Sequence, residues 1–134
     1  MIIFRLPYLV GKPRMTQRDK WLKRAATSQY WLQCDALRAQ ATKHGWTVPD
    51  RLSIDFYAPM PQSWTPQKKK LMTYAPHQSK PDIDNLVKAF LDAFGEDKHV
   101  HLVYASKQWT PGIEAVIVVR EYEGDRVLPN LKDL

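Results

Sequence analysis

Cysteine is nearly absent: Cys34 stands alone among 134 residues. No internal disulfide can form, so the fold must hold by packing, as suits a reducing compartment. Long apolar runs are missing as well. The longest covers residues 115–119, far short of the roughly 20 residues that cross a bilayer, which excludes a helical membrane protein and leaves no membrane partner to expect. The opening Met-Ile-Ile-Phe-Arg has no basic stretch leading into an apolar one, so no secretion signal is expected and the location is read as cytoplasmic. The five glycines form no nucleotide-binding loop, and no zinc pattern or Ser-His-Asp arrangement is visible. There is no internal repeat and no low-complexity tract.

What is there is a single domain's worth of chain. A chain of this length buries about two-thirds of its unfolded surface, enough for one core without staples. Basic residues are in excess, 20 Lys plus Arg against 14 Asp plus Glu, for a formal charge of +6. The excess is unevenly spread. Residues 1–24 carry Arg5, Lys12, Arg14, Arg18, Lys20, Lys23 and Arg24 against Asp19 alone. Residues 59–80 add Lys68, Lys69, Lys70 and Lys80 with no acid, whereas residues 81–134 are net acidic. Two basic segments followed by an acidic one suit a polyanionic partner such as nucleic acid, because phosphate neutralisation supplies most non-specific affinity.

Alternation of Ile2, Phe4 and Leu6 with Ile3 and Arg5 predicts a short strand ended by Pro7. From Thr16 or Asp19 to Lys43 there is no Gly or Pro, and Ala, Leu, Gln, Arg and Lys dominate, which predicts a long helix or a broken pair, closed by Gly45. Leu52, Ile54, Phe56 and Ala58 alternate with polar neighbours as a second strand with one buried face. Residues 59–80 show no periodicity and read as a long basic loop, in which Trp64 and Tyr74 are candidate base-stacking residues. Ile83, Leu86, Val87, Phe90, Leu91 and Phe94 follow helical spacing up to Gly95. Residues 100–109 and 113–122 read as two strands joined by Thr110, Pro111 and Gly112, most simply a hairpin. Residues 123–134 read as a polar, frayed tail. The expected class is α/β (α+β): one domain over residues 1–122, a mixed sheet with packed helices, in the order β-α-β-loop-α-β-β.

The densest polar cluster is Lys80, Pro81, Asp82, Asp84, Asn85 and Lys88, followed by Asp92, Glu96 and Asp97. Proline cannot sit inside a helix and aspartate is a good N-cap, so the helix is expected to start at Asp84 or Asn85. With Ile83 turned to the core, Asp82 and Asp84 can converge, and Lys88 lies on the side of Asp84. Capping, dipole and ion-pair effects account for Asp84 and Lys88, but they do not require two aspartates behind a proline. A hard-cation site does, since Mg²⁺ takes one or two carboxylates with waters and substrate phosphate. A third carboxylate beyond Gly95, most simply Asp97, completes it. An EF-hand is excluded by Leu86 and Val87, which stand where an oxygen ligand and a glycine are needed. The Pro81-Asp82 pair also suggests restriction-type nucleases, but their downstream acidic-x-Lys tripeptide is missing. His99 and His101 read as ordinary strand-edge histidines.

At this cluster the sequence resembles the RusA family of Holliday-junction resolvases, bacterial and prophage endonucleases. The matching block is KPDIDNLVKAFLDAF, residues 80–94, followed by Asp97, Lys98, His99 and Val100 and then a strand. Residues 11–21 also look like the phage-type branch. The resemblance implies a RusA-like fold and Mg²⁺-dependent cleavage of four-way and related branched DNA by a homodimer, with Mn²⁺ as a substitute ion, in recombination and repair. By residue, it implies Asp82, Asp84 and Asp97 as metal ligands and Lys88 as the catalytic lysine. The gap from Asp84 to Asp97 is short for the family, which leaves Glu96 and then Asp92 as rivals to Asp97. Asp92 is expected as a solvated helix position paired with Lys88. Lys12, Arg14, Arg18, Lys20, Lys68, Lys69, Lys70 and Lys80 are the expected DNA contacts, holding phosphates without reading sequence. Other readings are a non-catalytic basic DNA-binding protein, or a metal-dependent nuclease on RNA or a small phosphoester.

Overall fold

The structure is a computed structural model that describes residues 1–13, 25–95, 97–124, 128 and 130–133. Its strands are β1 (Ile2–Leu6), β2 (Arg51–Pro59), β3 (Leu102–Thr110) and β4 (Ala115–Glu121). The helices among the described residues are α1 (Ala25–Lys43), α2 (Pro66–Met72) and α3 (Ile83–Asp92), with a 3-10 turn at Leu131–Asp133 in the tail that was read as frayed. This is the mixed α+β domain expected, with one sheet and helices packed on it. No helix among the described residues is long and apolar enough to cross a membrane.

The sheet order is β1-β4-β2-β3. The expected hairpin between β3 and β4 is therefore wrong. β2 lies between them, antiparallel to β4 with Ile54 opposite Val119, and parallel to β3 with Ile54 opposite Ala105. β2 thereby pairs with β3 over nine residues and with β4 over six, so its backbone groups find partners on both sides. A short turn at Thr110–Gly112 is compatible with both arrangements, and the pairing of β2 on both of its sides separates them.

Both long helices cover one face of this sheet. Thr27, Tyr30, Cys34, Leu37 and Ala41 form the buried stripe of α1, at the three- and four-residue steps of one helical face. The helix ends in a Schellman arrangement: Trp46 N–H donates to the Ala41 carbonyl at 2.9 Å and Gly45 N–H to that of Thr42 at 3.1 Å, with Gly45 at φ +61° as this cap requires. Trp46 then enters an aromatic cluster with Phe4, Phe90 and Phe94, ring centroids 5.1–6.1 Å apart. Arg38 reaches from α1 to donate to the Ala93 carbonyl at 2.5 Å, satisfying one of the open acceptors at the end of α3. Cys34 is fully buried, and burial pushes its thiol up from the ordinary range, which leaves little of the reactive thiolate.

Both sheet edges are covered. Gln40 of α1 accepts from Arg5 N–H and donates to the Arg5 carbonyl, both at 2.9 Å, so a side-chain amide occupies the free edge of β1. Along the β3 edge runs the chain that follows α2. Tyr74 N–H donates to the Trp109 carbonyl at 2.9 Å, Trp109 N–H to Ala75 at 3.1 Å, and His77 N–H to Lys107 at 3.1 Å. Those contacts carry the chain from the basic segment to the start of α3, and so decide where the aspartates sit.

Candidate active site

Residues 59–80 are not the structureless loop expected. Thr65 caps α2 by accepting from Lys68 N–H at 3.2 Å, with Pro66 at the first helical position, a favourable helix start. Seven residues are too few to show a periodic pattern, which is why the sequence concealed this helix. Trp64 packs edge-on against Trp109 at 4.9 Å, and the Lys68 ammonium sits 4.2 Å over its ring, a cation-π contact. Trp64 is thus a packing residue here, whereas Tyr74 stays exposed at φ +59°. Lys69 and Lys70 close the last turn of α2.

The α3 helix starts one residue earlier than expected. Asp82, not Asp84, is its N-cap, extended at φ −64° and ψ 146°, and it follows a cis Lys80-Pro81 bond. Starting at Ile83 brings the first stripe residue into register with Leu86 and Phe90, both buried. The Asp82 carbonyl accepts the first helical bond, from Leu86 N–H at 3.0 Å. Its carboxylate makes no capping hydrogen bond. Asp84, in the first turn, accepts from Asn85 N–H at 2.9 Å.

Asp82 and Asp84, both exposed, line one open cavity of about 600 Å³ together with His77, Lys80 and Lys107. The helix N-terminus and the two ammonium groups make this a place for anions as well as for a cation held by the carboxylates. Its donors are hard oxygens of the kind Mg²⁺ takes, so the residues present fit the ion implied by the resemblance. A cavity of about 510 Å³, lined by Tyr57, Tyr74, Gln108, Thr110, Val116 and Val118, holds no carboxylate.

His77 and Lys107, in the cavity of the two aspartates, are not among the residues expected from the sequence. His77 is 4% exposed, stacked on Trp109 at 3.8 Å, and accepts from Ser79 N–H through Nδ1 at 3.3 Å. Burial first, and then the Lys107 ammonium, hold its pKa below the ordinary 6.5. Lys107 donates to the carbonyls of Ser79 and Pro81 at 2.5 and 2.7 Å. The one signal in the sequence was a lysine on the apolar alternation of a strand.

The remaining expected residues are dispersed. Asp97 follows α3 and accepts from Val100 N–H at 3.0 Å through its carbonyl. Asp82 lies before that helix, whose ten residues rise about 15 Å. Among the described residues no three His, Cys, Asp or Glu side chains converge as a metal-holding group. Glu96 lies outside the described residues, as do Arg14, Arg18 and Lys20. Lys88 is exposed. Asp92 does not have the pairing expected for it: it is half-buried and bound to Lys12 at 2.6 Å. The reason is local, since Gly11 passes so close to α3 that a Cβ there would lie 2.6 Å from the Asn85 side chain, which lays the neighbouring Lys12 along the helix. His99 bonds the Val48 carbonyl at 2.9 Å, consistent with a strand-edge role.

A sequence model of one protein family, Endodeoxyribonuclease RusA, matches residues 7–115. The chain belongs to the RusA family. No curated protein and no solved structure matches it. The RusA match runs from the end of β1 to the start of β4, and so takes in the whole cavity described above. The protein is a member of a nuclease family, and its Asp82 and Asp84 lie within the matched segment.

Proposed function

We propose that this RusA-family chain is a Mg²⁺-dependent, structure-selective endonuclease that resolves Holliday junctions and related branched DNA as a homodimer, in bacterial DNA recombination and repair. The observation that carries the reading is Asp82, an N-cap whose carboxylate makes no capping bond and which shares a cavity with Asp84, Lys80 and Lys107. A purely structural N-cap would spend that carboxylate on the helix.

Asp82 and Asp84, which line the same cavity, are the proposed ligands. When bound, Mg²⁺ supplies Lewis acidity at the phosphoryl oxygen and lowers the pKa of a coordinated water, and Mn²⁺ substitutes for it. The chain's own part is to place phosphate. The first N–H groups of α3 and the Lys80 ammonium attract the DNA backbone to the carboxylates. Lys88, four residues after Asp84, offsets charge developing at the scissile phosphate. A two-fold dimer offers two equivalent sites to a junction of approximate two-fold symmetry. Lys69, Lys70 and the basic segment of residues 12–24 hold the arms.

The test is a synthetic four-way junction incubated with the protein and Mg²⁺, with EDTA and Asp82→Asn controls. Paired nicks are expected from the wild type, none with EDTA, and a loss of about 100-fold or more in Asp82→Asn. Salt-sensitive junction binding without any cleavage would make the chain a non-catalytic DNA-binding protein. Faster cutting of RNA or linear duplex would reassign the substrate.

A further inference from the structure

Lys107 occupies a position where the strand pattern calls for an apolar side chain. It is the register partner of Phe56, which is 1% exposed, and it shares the helix-covered face of β3 with Ala105 and Trp109. Lys107 is half-buried there, and its ammonium reaches out to the edge of the cavity. Its partners are the carbonyls of Ser79 and Pro81, at 2.5 and 2.7 Å, and its own carbonyl takes the His77 N–H at 3.1 Å. One residue of β3 therefore grips the chain at three points over residues 77–81.

The Pro81 carbonyl belongs to the peptide group that leads into Asp82. The helix does not orient the Asp82 carboxylate, which makes no capping bond. Where its side chain starts is set by the backbone that carries it. We infer that Lys107 is a positioning residue for the metal site, holding the Pro81-Asp82 peptide so that the Asp82 carboxylate is aimed beside Asp84. The inference rests on the proposed function. It also has a sign of its own. If Lys107 acted only as a nearby positive charge, removing it would tighten Mg²⁺ binding; if it positions a ligand, removing it weakens Mg²⁺ binding, as loss of an outer-shell partner does.

The experiment compares the full chain with Lys107→Met, which keeps the stem and loses the donors, and Lys107→Arg, which keeps both charge and donors. Mg²⁺ affinity is read by calorimetry without DNA, amide exchange over residues 77–84 is read in metal-free protein, and kcat and KM are read on a four-way junction. Lys107→Met is expected to raise the Mg²⁺ Kd about tenfold, to speed exchange over that segment, and to lower kcat with KM unchanged, with Lys107→Arg recovering most of the loss. Unchanged or tighter Mg²⁺ binding in Lys107→Met overturns the inference, and so does a rise in KM at constant kcat, which would make Lys107 a phosphate contact. Should Lys107→Met not fold, Lys107→Leu, which also lacks donors, carries the same comparison. A wild type that binds no Mg²⁺ overturns the proposed function along with the inference, whereas a wild type that binds Mg²⁺ beside an unaltered Lys107→Met overturns the inference alone.

Discussion

Asp82 and Asp84 sit at the same helix end but are held differently. Asp84 is occupied by its neighbour's N–H at 2.9 Å, while Asp82 is placed by its backbone and leaves its carboxylate for another partner. His77 shows how such a site responds to pH. Its pKa is held below 6.5, first by burial and then by Lys107, so between the folded and unfolded values the unfolded chain binds more protons. His77 therefore leaves stability intact above about pH 6.5 and subtracts from it as pH falls below that value. Melting curves from pH 8 to pH 5 are expected to show a smaller acid-side drop in Tm for His77→Phe than for the wild type. An equal drop in both would mean that other groups carry the acid sensitivity.

At the scale of elements, α2 and the chain after it do most to shape the site. The seven residues of α2 bury none of their side chains, so a single cap counts for much of its local order. Thr65→Ala removes the bond to Lys68 N–H and is expected to cost α2 about 1 kcal/mol. Amide exchange over residues 66–72 should quicken about fivefold, with global Tm nearly unchanged; a large fall in Tm would show that α2 supports the core. The run of contacts from Tyr74 to His77 along β3 then delivers the chain to Asp82. It brings His77 and Lys107 to the two aspartates and Lys80, and together they line one cavity.

For the whole molecule, the +6 charge is already partly committed. Lys12 is bound to Asp92 and Lys68 to the Trp64 ring, which leaves Lys69 and Lys70 as the α2 cations with no such engagement among the described residues. In the proposed function they hold phosphates. The double variant Lys69→Ala, Lys70→Ala is expected to weaken junction binding uniformly across sequences. It should also reduce the slope of log affinity against log salt by about two per protomer, roughly four for the proposed dimer, measured by fluorescence anisotropy. An unchanged slope would remove α2 from the DNA surface.

The sequence by itself determined the local elements and the acidic cluster. Ile2, Phe4 and Leu6, the alternation of residues 51–58, and the stripe from Ile83 to Phe94 declare their periods over a few residues, and proline followed by two aspartates announces a helix start. What it left open was every choice made between distant segments. Whether β4 pairs with β3 or with β2 depends on which distant strands come to satisfy one another's backbone groups, not on the turn that follows β3. α3 starts at Ile83, whose half-buried side chain lines the carboxylate cavity and does not enter the core. Lys107 reached Pro81 across 26 residues because the β3 edge is covered by the chain after α2. Neither composition nor spacing encodes that contact, since a lysine on a strand acquires its role only from the carbonyls that folding brings to it.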